Sequence, residues 1–322
     1  MTAVNHALEL REVTKRYVDH LAVDALSLAV PAGTIYGILG PNGAGKSTTL
    51  RMVMNIIARD RGSIAVLGAD PAADRAVLRR VGYLPEERGL YKKMTVLDIV
   101  VFFGALRGMR ESAAREQGLR WLERMGLAEW QRARVETLSK GMQQKVQFIT
   151  TAIHSPELLI LDEPASGLDP VNQEVLRDTI VNARAEGRTV VFSTHNMDQA
   201  EQLCDYVCII ARGRKVLDGS LADLRRRYGG HKYRVEFDSL TPAAVALMGR
   251  SDAALPGATR VGDGWELDLP EAADVRRALS SLSAADVPVA RFERVRPSLH
   301  QIFVEKVGEA HVAARRPEVP GA

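Results

Sequence analysis

Gly40-Pro-Asn-Gly-Ala-Gly-Lys-Ser-Thr48 is a complete G-x-x-x-x-G-K-[ST] phosphate-binding loop. The apolar stretch before it, Thr34-Ile-Tyr-Gly-Ile-Leu39, reads as a buried strand. From Lys46 onward the chain reads as a helix with Leu50, Val53 and Ile57 on one face. Strand, glycine-rich turn and helix are the context this motif needs. Its glycines let successive backbone N–H groups turn inward and cradle a polyphosphate at the positive end of the helix. Lys46 reaches the β- and γ-phosphates, and the Ser47 hydroxyl is placed to ligate Mg²⁺. The sequence therefore predicts a nucleoside triphosphate site built from Gly40, Pro41, Asn42, Gly43, Ala44, Gly45, Lys46, Ser47 and Thr48.

A chain of 322 residues has room for about two domains. Its 46% apolar and 26% charged residues are ordinary for a globular protein, and a net charge of +3 is too small to argue for a nucleic-acid partner. No apolar run approaches the ~18 residues of a membrane span. Val96–Leu106, interrupted by Asp98, fits a buried helix. The N-terminus lacks the basic and apolar regions of a signal peptide, so a cytoplasmic protein is expected. Cys204 and Cys208 have no further cysteine or nearby histidine to complete a metal site and read as buried reduced thiols.

Leu158-Leu-Ile-Leu-Asp-Glu-Pro164 is an apolar run ending in two carboxylates. A buried parallel strand delivers such residues at its C-terminal end, where open α/β sheets bind ligands. There Asp162 would hold Mg²⁺ through water, and Glu163 would polarise the attacking water. Many strands simply end in a charged turn; what gives this one meaning is the phosphate loop upstream. Leu138-Ser-Lys-Gly-Met-Gln-Gln-Lys145 opens a helical run, with Ser139 as its cap and free N–H groups forming an anion site. That site has no phosphate left in its own chain, so the phosphate it meets belongs to another molecule.

Together these segments resemble the nucleotide-binding subunit of ATP-binding-cassette (ABC) transporters. Gly40–Thr48 is similar to the Walker A loop, Leu138–Gln144 to the ABC signature and Leu159–Glu163 to the Walker B strand. Ser166-Gly-Leu-Asp-Pro170 is similar to the D-loop and Ser193-Thr-His195 to the switch histidine, in the family's order over about residues 5–225. The resemblance implies that two such domains, a homodimer or a pair with another ABC subunit, sandwich two ATP molecules head to tail. Each ATP then lies between the Lys46 loop of one subunit and Ser139, Gly141 and Gln143 of the other. It also implies that Glu163 activates water, that His195 contacts the γ-phosphate, that Asp169 couples the two sites, and that Tyr17 stacks on adenine. ATP and Mg²⁺ are the implied ligands, and the implied partner is a separate transmembrane permease holding this chain at the inner face of the membrane.

One position departs from the family pattern. Tyr83-Leu-Pro-Glu-Glu-Arg-Gly-Leu-Tyr91 places Glu86 where glutamine usually ligates Mg²⁺; a carboxylate oxygen can still coordinate this cation but adds negative charge beside ATP. The following Arg88, Leu90 and Tyr91 are, by the resemblance, contacts for the permease.

The implied fold is α/β: an ABC-type P-loop NTPase domain over residues 1–225, with a RecA-like core, an antiparallel β layer from residues 5–35 and a helical subdomain at about 92–155. In the latter, Val96, Ile99, Val100 and Phe103 form one helix face, and Leu119, Leu122 and Met125 another. Residues 226–308 read in the order βαββαβ followed by a helix, a small ferredoxin-like α+β accessory domain. A hairpin turn is expected at Asp263-Gly264, and a capping box at Ser298 and Gln301. Residues 309–322 hold too few apolar residues to fold. The accessory domain and the Glu86 segment resemble the sodium-efflux and drug-resistance exporter branch, which implies export of an ion or small molecule. Two other readings are a non-transport ABC ATPase acting on nucleic acid or ribosomes, and a regulatory module that does not turn over. The lack of a repeated cassette or basic patch counts against the first, and the presence of Glu163 and His195 against the second.

Overall fold

The apolar alternation near the N-terminus becomes two long antiparallel strands, β1 (His6–Tyr17) and β2 (His20–Pro31), closed by a tight turn in which Tyr17 pairs with His20. The computed structural model describes residues 5–87, 89–249, 258–285, 287–295 and 297–313, with side chains as far as Lys306. The chain continues through β3 (Ile35–Leu39), α1 (Lys46–Val53), β4 (Arg61–Val66) and β5 (Val81–Leu84). Three helices follow, α2 (Val96–Leu106), α3 (Glu111–Arg124) and α4 (Lys140–Ala152). Next come β6 (Leu158–Asp162), α5 (Pro170–Ala185), β7 (Thr189–Thr194), α6 (Met197–Leu203), β8 (Tyr206–Ala211) and β9 (Arg214–Ser220).

Among the described residues β4 joins β1 to make a three-stranded layer in the order β2-β1-β4, and a second sheet runs β5-β6-β7-β3-β8-β9. The second sheet is parallel except for β9, which pairs antiparallel with β8. Every residue of β3, β6 and β7 is buried, as expected of strands covered on both faces. Leu8, Leu10 and Leu26 from the β layer meet Leu50 and Val53 of α1 and Ile38 and Ile160 of the sheet in one core. Because β6, β7 and β3 are neighbours, their C-terminal ends lie side by side although β3 precedes the other two by more than one hundred residues in sequence.

The helical segment follows its apolar periodicity. Thr95 caps α2 by accepting from the Asp98 N–H at 3.2 Å, and Val96, Ile99 and Val100 are buried. One expectation fails: Leu119 is 40% exposed. The buried stripe of α3 is instead Ala114, Gly118, Trp121 and Leu122, continuing to Met125, which is the i, i+4, i+7 spacing; Leu119 falls about 100° off it.

Packing divides the chain into residues up to Leu221 together with those from Phe303 on, and a second unit of Ala222–Ile302. The second comprises most of α7 (Leu221–Tyr228), then β10 (Lys232–Phe237), α8 (Pro242–Met248), β11 (Thr259–Val261), β12 (Gly264–Asp268), α9 (Ala272–Ala284), β13 (Val289–Arg294) and the start of α10 (Leu299–Ala313). Its sheet is antiparallel in the order β11-β12-β10-β13, which is the ferredoxin-like arrangement expected from the βαββαβ pattern. Ala244, Met248, Ala278 and Leu282 of its helices pack with Val235 and Leu267 of its strands.

Two details are corrected. The hairpin turn is Gly262-Asp263, because Val261 pairs with Gly264 and Gly262 supplies the left-handed φ of 61° that the turn's first position needs. The last helix does not stop at Gly308: α10 runs to Ala313, through residues that include the good helix formers Glu309 and Ala310. The Ser298–Gln301 capping box is present, at 2.9 and 3.2 Å. Residues 314–322, and Arg88 of the expected permease contact, lie outside the described residues.

Candidate functional site

The phosphate loop joins β3 to α1. Gly45 precedes α1 with φ 103°, and a Cβ there would sit 2.4 Å from the Ala22 carbonyl oxygen, so the turn admits only glycine. Around Gly43, which lines the cleft described below, nothing lies within 4 Å of where a Cβ would be. Lys46 is buried, and its Nζ donates to the carbonyls of Gly40 at 2.9 Å and Pro41 at 3.3 Å. The same ammonium lies 3.3 Å from Glu163 Oε1.

Asp162 ends β6 and is fully buried. Its Oδ1 accepts from Ser47 Oγ at 3.0 Å and from Ser193 Oγ at 2.5 Å, while Oδ2 has no hydrogen-bond partner. A buried carboxylate oxygen left open beside a hydroxyl is a hard donor set, and it fits Mg²⁺. Glu163 follows with φ 47°, unusual for a residue with a side chain. Its N–H donates to Ser193 Oγ at 3.0 Å and to the Ser193 carbonyl at 3.2 Å. Its Oε2 is 3.0 Å from Nδ1 of His195, a ring that is 57% exposed. Nearby, burial first and the Asp162 charge second push the Tyr83 phenol up to about 12, so it stays protonated.

Lys46, Ser47 and Glu163 share a cleft of about 420 Å³ with Tyr17, His20, Ala22, the other residues of 42–48 and Glu86; Gly40, Pro41, Asp162 and His195 do not line it, and Asp162 and His195 reach it through Ser47 and Glu163. The Tyr17 ring is 45% exposed, with Lys15 Nζ 5.5 Å from its centroid. Sequence reading did not single out His20; only the tight β1–β2 turn sets it beside Tyr17.

Ser139, Gly141, Gln143 and Asp169 do not line this cleft. The Ser139 hydroxyl caps α4 by accepting from Met142 N–H at 3.2 Å. Gln143 Nε2 donates to Leu138 O at 3.0 Å and Val135 O at 3.3 Å, so this amide is engaged in shaping its own loop. A Cβ on Gly141 would meet Asn172 Nδ2 at 3.2 Å. Asp169 caps α5, and hydrogen bonds from the backbone and side chain of Asn172 hold its carboxyl below the usual range. Two further amides of α4, Gln144 of the signature-like segment and Gln147 beyond it, had no role assigned from the sequence. Gln144 Nε2 donates to Pro164 O at 3.2 Å, and Gln147 Nε2 to Pro85 O at 3.3 Å and Glu87 O at 3.2 Å. One helix thus ties the Ser139 loop to the segments carrying Glu163 and Glu86.

Beyond the Glu86 loop, Leu90 is half-buried and Tyr91 exposed; the Tyr91 ring lies 5.6 Å from Phe102 and 6.4 Å from Phe103. Cys204 and Cys208 are free and buried, and burial pushes both thiols up. Among the described residues, no helix is long and apolar enough to cross a membrane.

Residues 23–166 match the ABC transporter family, and residues 219–307 match the C-terminal domain family of ATP-binding protein DrrA1-3-like. The uncharacterized ABC transporter ATP-binding protein YhaQ of Bacillus subtilis is 38% identical over 304 residues, 94% of this chain and 99% of that protein. The daunorubicin/doxorubicin resistance ATP-binding protein DrrA of Streptomyces peucetius is 32% identical over 312 residues, 95% of this chain and 94% of its own. A solved ATP-binding subunit of an ABC transporter superposes with a TM-score of 0.64 at 30% identity, covering 69% of this chain and 93% of that structure. At this similarity and coverage the chain belongs to the ABC transporter ATP-binding proteins, ATPases coupled to transport, and carries a DrrA-like C-terminal domain.

Proposed function

We propose that two cassettes, both of this chain or one from a paired ABC subunit, close on ATP and Mg²⁺ and drive a separate permease that exports an ion or small molecule. The observation that carries the reading is the linked network at three neighbouring strand ends: Lys46 to Glu163, Glu163 to His195, and Ser47 to Asp162, with Lys46, Ser47 and Glu163 lining one cleft. Lys46 and the loop N–H groups would bind the β- and γ-phosphates, and Tyr17 would stack on the base. Ser47, Asp162 and Glu86 would hold Mg²⁺, which neutralises phosphate charge when bound. The need for a cation follows from charge: beside Lys46 the site presents the carboxylates of Glu86, Asp162 and Glu163. Glu163 would take the proton of the attacking water, kept in place by His195, and Ser139, Gly141 and Gln143 of the second cassette would cover the γ-phosphate. Asp169 would link the two sites.

Leu90, Tyr91 and Phe102 would offer an apolar surface to the permease, which would hold the chain at the cytoplasmic face of the membrane. The export direction is supported by DrrA, whose name is that of a resistance protein. The test is to purify the tagged chain from detergent-solubilised native membranes and identify what comes with it by mass spectrometry. A stoichiometric multi-spanning protein is the expected result. A preparation carrying ribosomes or nucleic acid instead would overturn the proposal.

A further inference from the structure

We infer that Ser193 is a positioning residue for both carboxylates of the ATPase site, aiming Asp162 Oδ2 at the metal and fixing the backbone of Glu163. The inference rests on the reading of Asp162 as the metal-side carboxylate and adds a residue that the motif reading left without a role. Ser193 is fully buried near the end of β7, the strand paired with β6. Its hydroxyl does two things at once: it donates to Asp162 Oδ1 at 2.5 Å and accepts from the Glu163 N–H at 3.0 Å. A buried serine needs only one partner, and a neighbouring backbone carbonyl would serve. Here both capacities go to adjacent carboxylate residues.

The consequences are geometric. With Oδ1 held by Ser193 and Ser47, rotating the carboxylate would break two hydrogen bonds, and the oxygen left open is Oδ2. At Glu163 the backbone has the strained φ of 47°, and Ser193 anchors it through both its hydroxyl and its carbonyl. Two residues later His195 grips the Glu163 side chain. One strand end therefore clamps the proton acceptor at backbone and side chain and orients the metal-side carboxylate beside it. Ser193→Ala leaves the Glu163 N–H bonded to the residue-193 carbonyl and Asp162 Oδ1 bonded to Ser47, so the fold should survive.

The test reads binding, not turnover: the affinity for a fluorescent ATP analogue in EDTA and in saturating Mg²⁺, the ratio being the gain due to metal. Loss of a group that orients a metal ligand typically lowers metal affinity about 10–100-fold. Ser193→Ala should cut the metal-dependent gain about tenfold while leaving the EDTA affinity within about twofold. Ser193→Cys, which keeps the bulk and a weak donor, should fall between alanine and wild type. An unchanged gain in both variants, with Asp162→Asn abolishing it, overturns the role of Ser193 alone. An unchanged gain in all three overturns the metal reading of Asp162 as well. Equal loss of affinity with and without metal assigns Ser193 a general structural role and also overturns the proposal.

Discussion

Replacing Lys46 by alanine breaks the most buried charge contact of the site, and its cost can be worked from the geometry. Lys46 Nζ and Glu163 Oε1 are 3.3 Å apart, on side chains 6% and 9% exposed. At an effective dielectric of about 20 the attraction is about 5 kcal/mol, part of which is offset by the cost of removing both charges from water. Removing one member of a buried pair typically costs about 3–5 kcal/mol, because the other is left uncompensated. In this site Glu163 keeps His195, so we expect about 2–3 kcal/mol for Lys46→Ala. For a unit of this size that lowers the melting midpoint by roughly 5–10 °C. In Glu163→Gln, Lys46 retains the Gly40 and Pro41 carbonyls, so the loss is smaller. The double variant should then be more stable than the two single losses predict, with a coupling energy of about 1–2 kcal/mol. Because the chain has two units, the transition to follow is the one that ATP shifts upward in the wild type. A coupling below about 0.5 kcal/mol would mean that the two groups act independently, and the reasoning would fail.

Glu163→Gln should also retain ATP but not hydrolyse it, and so accumulate an ATP-bound dimer on size exclusion; a monomer at saturating ATP would count against the sandwich. Tyr17→Ala should weaken ATP binding about 10–100-fold by calorimetry, since an aromatic–base stack is worth about 1–3 kcal/mol, whereas Tyr17→Phe should bind normally. An alanine variant with wild-type affinity would remove Tyr17 from the site. His154 supplies a pH dependence: burial, reinforced by the Arg107 charge, lowers its pKa from 6.5 to about 4. Its folded form resists protonation that the unfolded chain accepts, so its contribution to stability is complete above pH 6.5 and is lost as pH falls toward 4. After allowance for solvent screening, wild type should lose about 1–2 kcal/mol relative to His154→Gln over that window. A difference between the two that does not change with pH would refute this.

The glycine-rich loop and the Asp162–Glu163 strand end were legible in sequence because each needs a local pattern: glycines that permit a tight turn, an apolar run that becomes a buried strand, and polar residues where that run stops; His195 was singled out only through the family resemblance. The ferredoxin-like unit was legible for a similar reason, its short periodic elements occurring in the order βαββαβ. Leu119 was misread because apolar character alone does not choose between two adjacent helix stripes; the partner surface does, and it selected Trp121. The hairpin turn moved by one residue because pairing across β11 and β12, not the Asp-Gly dipeptide, sets its register.

What only the tertiary structure decided is the set of contacts between those local patterns. Gln147 reaches the loop of Glu86 from sixty residues away, and Ser193 reaches Asp162 and Glu163 from the neighbouring strand. Local sequence assigned neither residue a role, although Ser193 opens the Ser193-Thr-His195 segment, since a buried amide or hydroxyl takes its meaning from whichever donor or acceptor the fold brings to it. The sequence by itself determined that the chain has the glycine-rich loop and the carboxylates expected to go with it. The strand order β6-β7-β3 determined that they stand within hydrogen-bonding reach of one another, because side-by-side strands align ends that the chain keeps far apart.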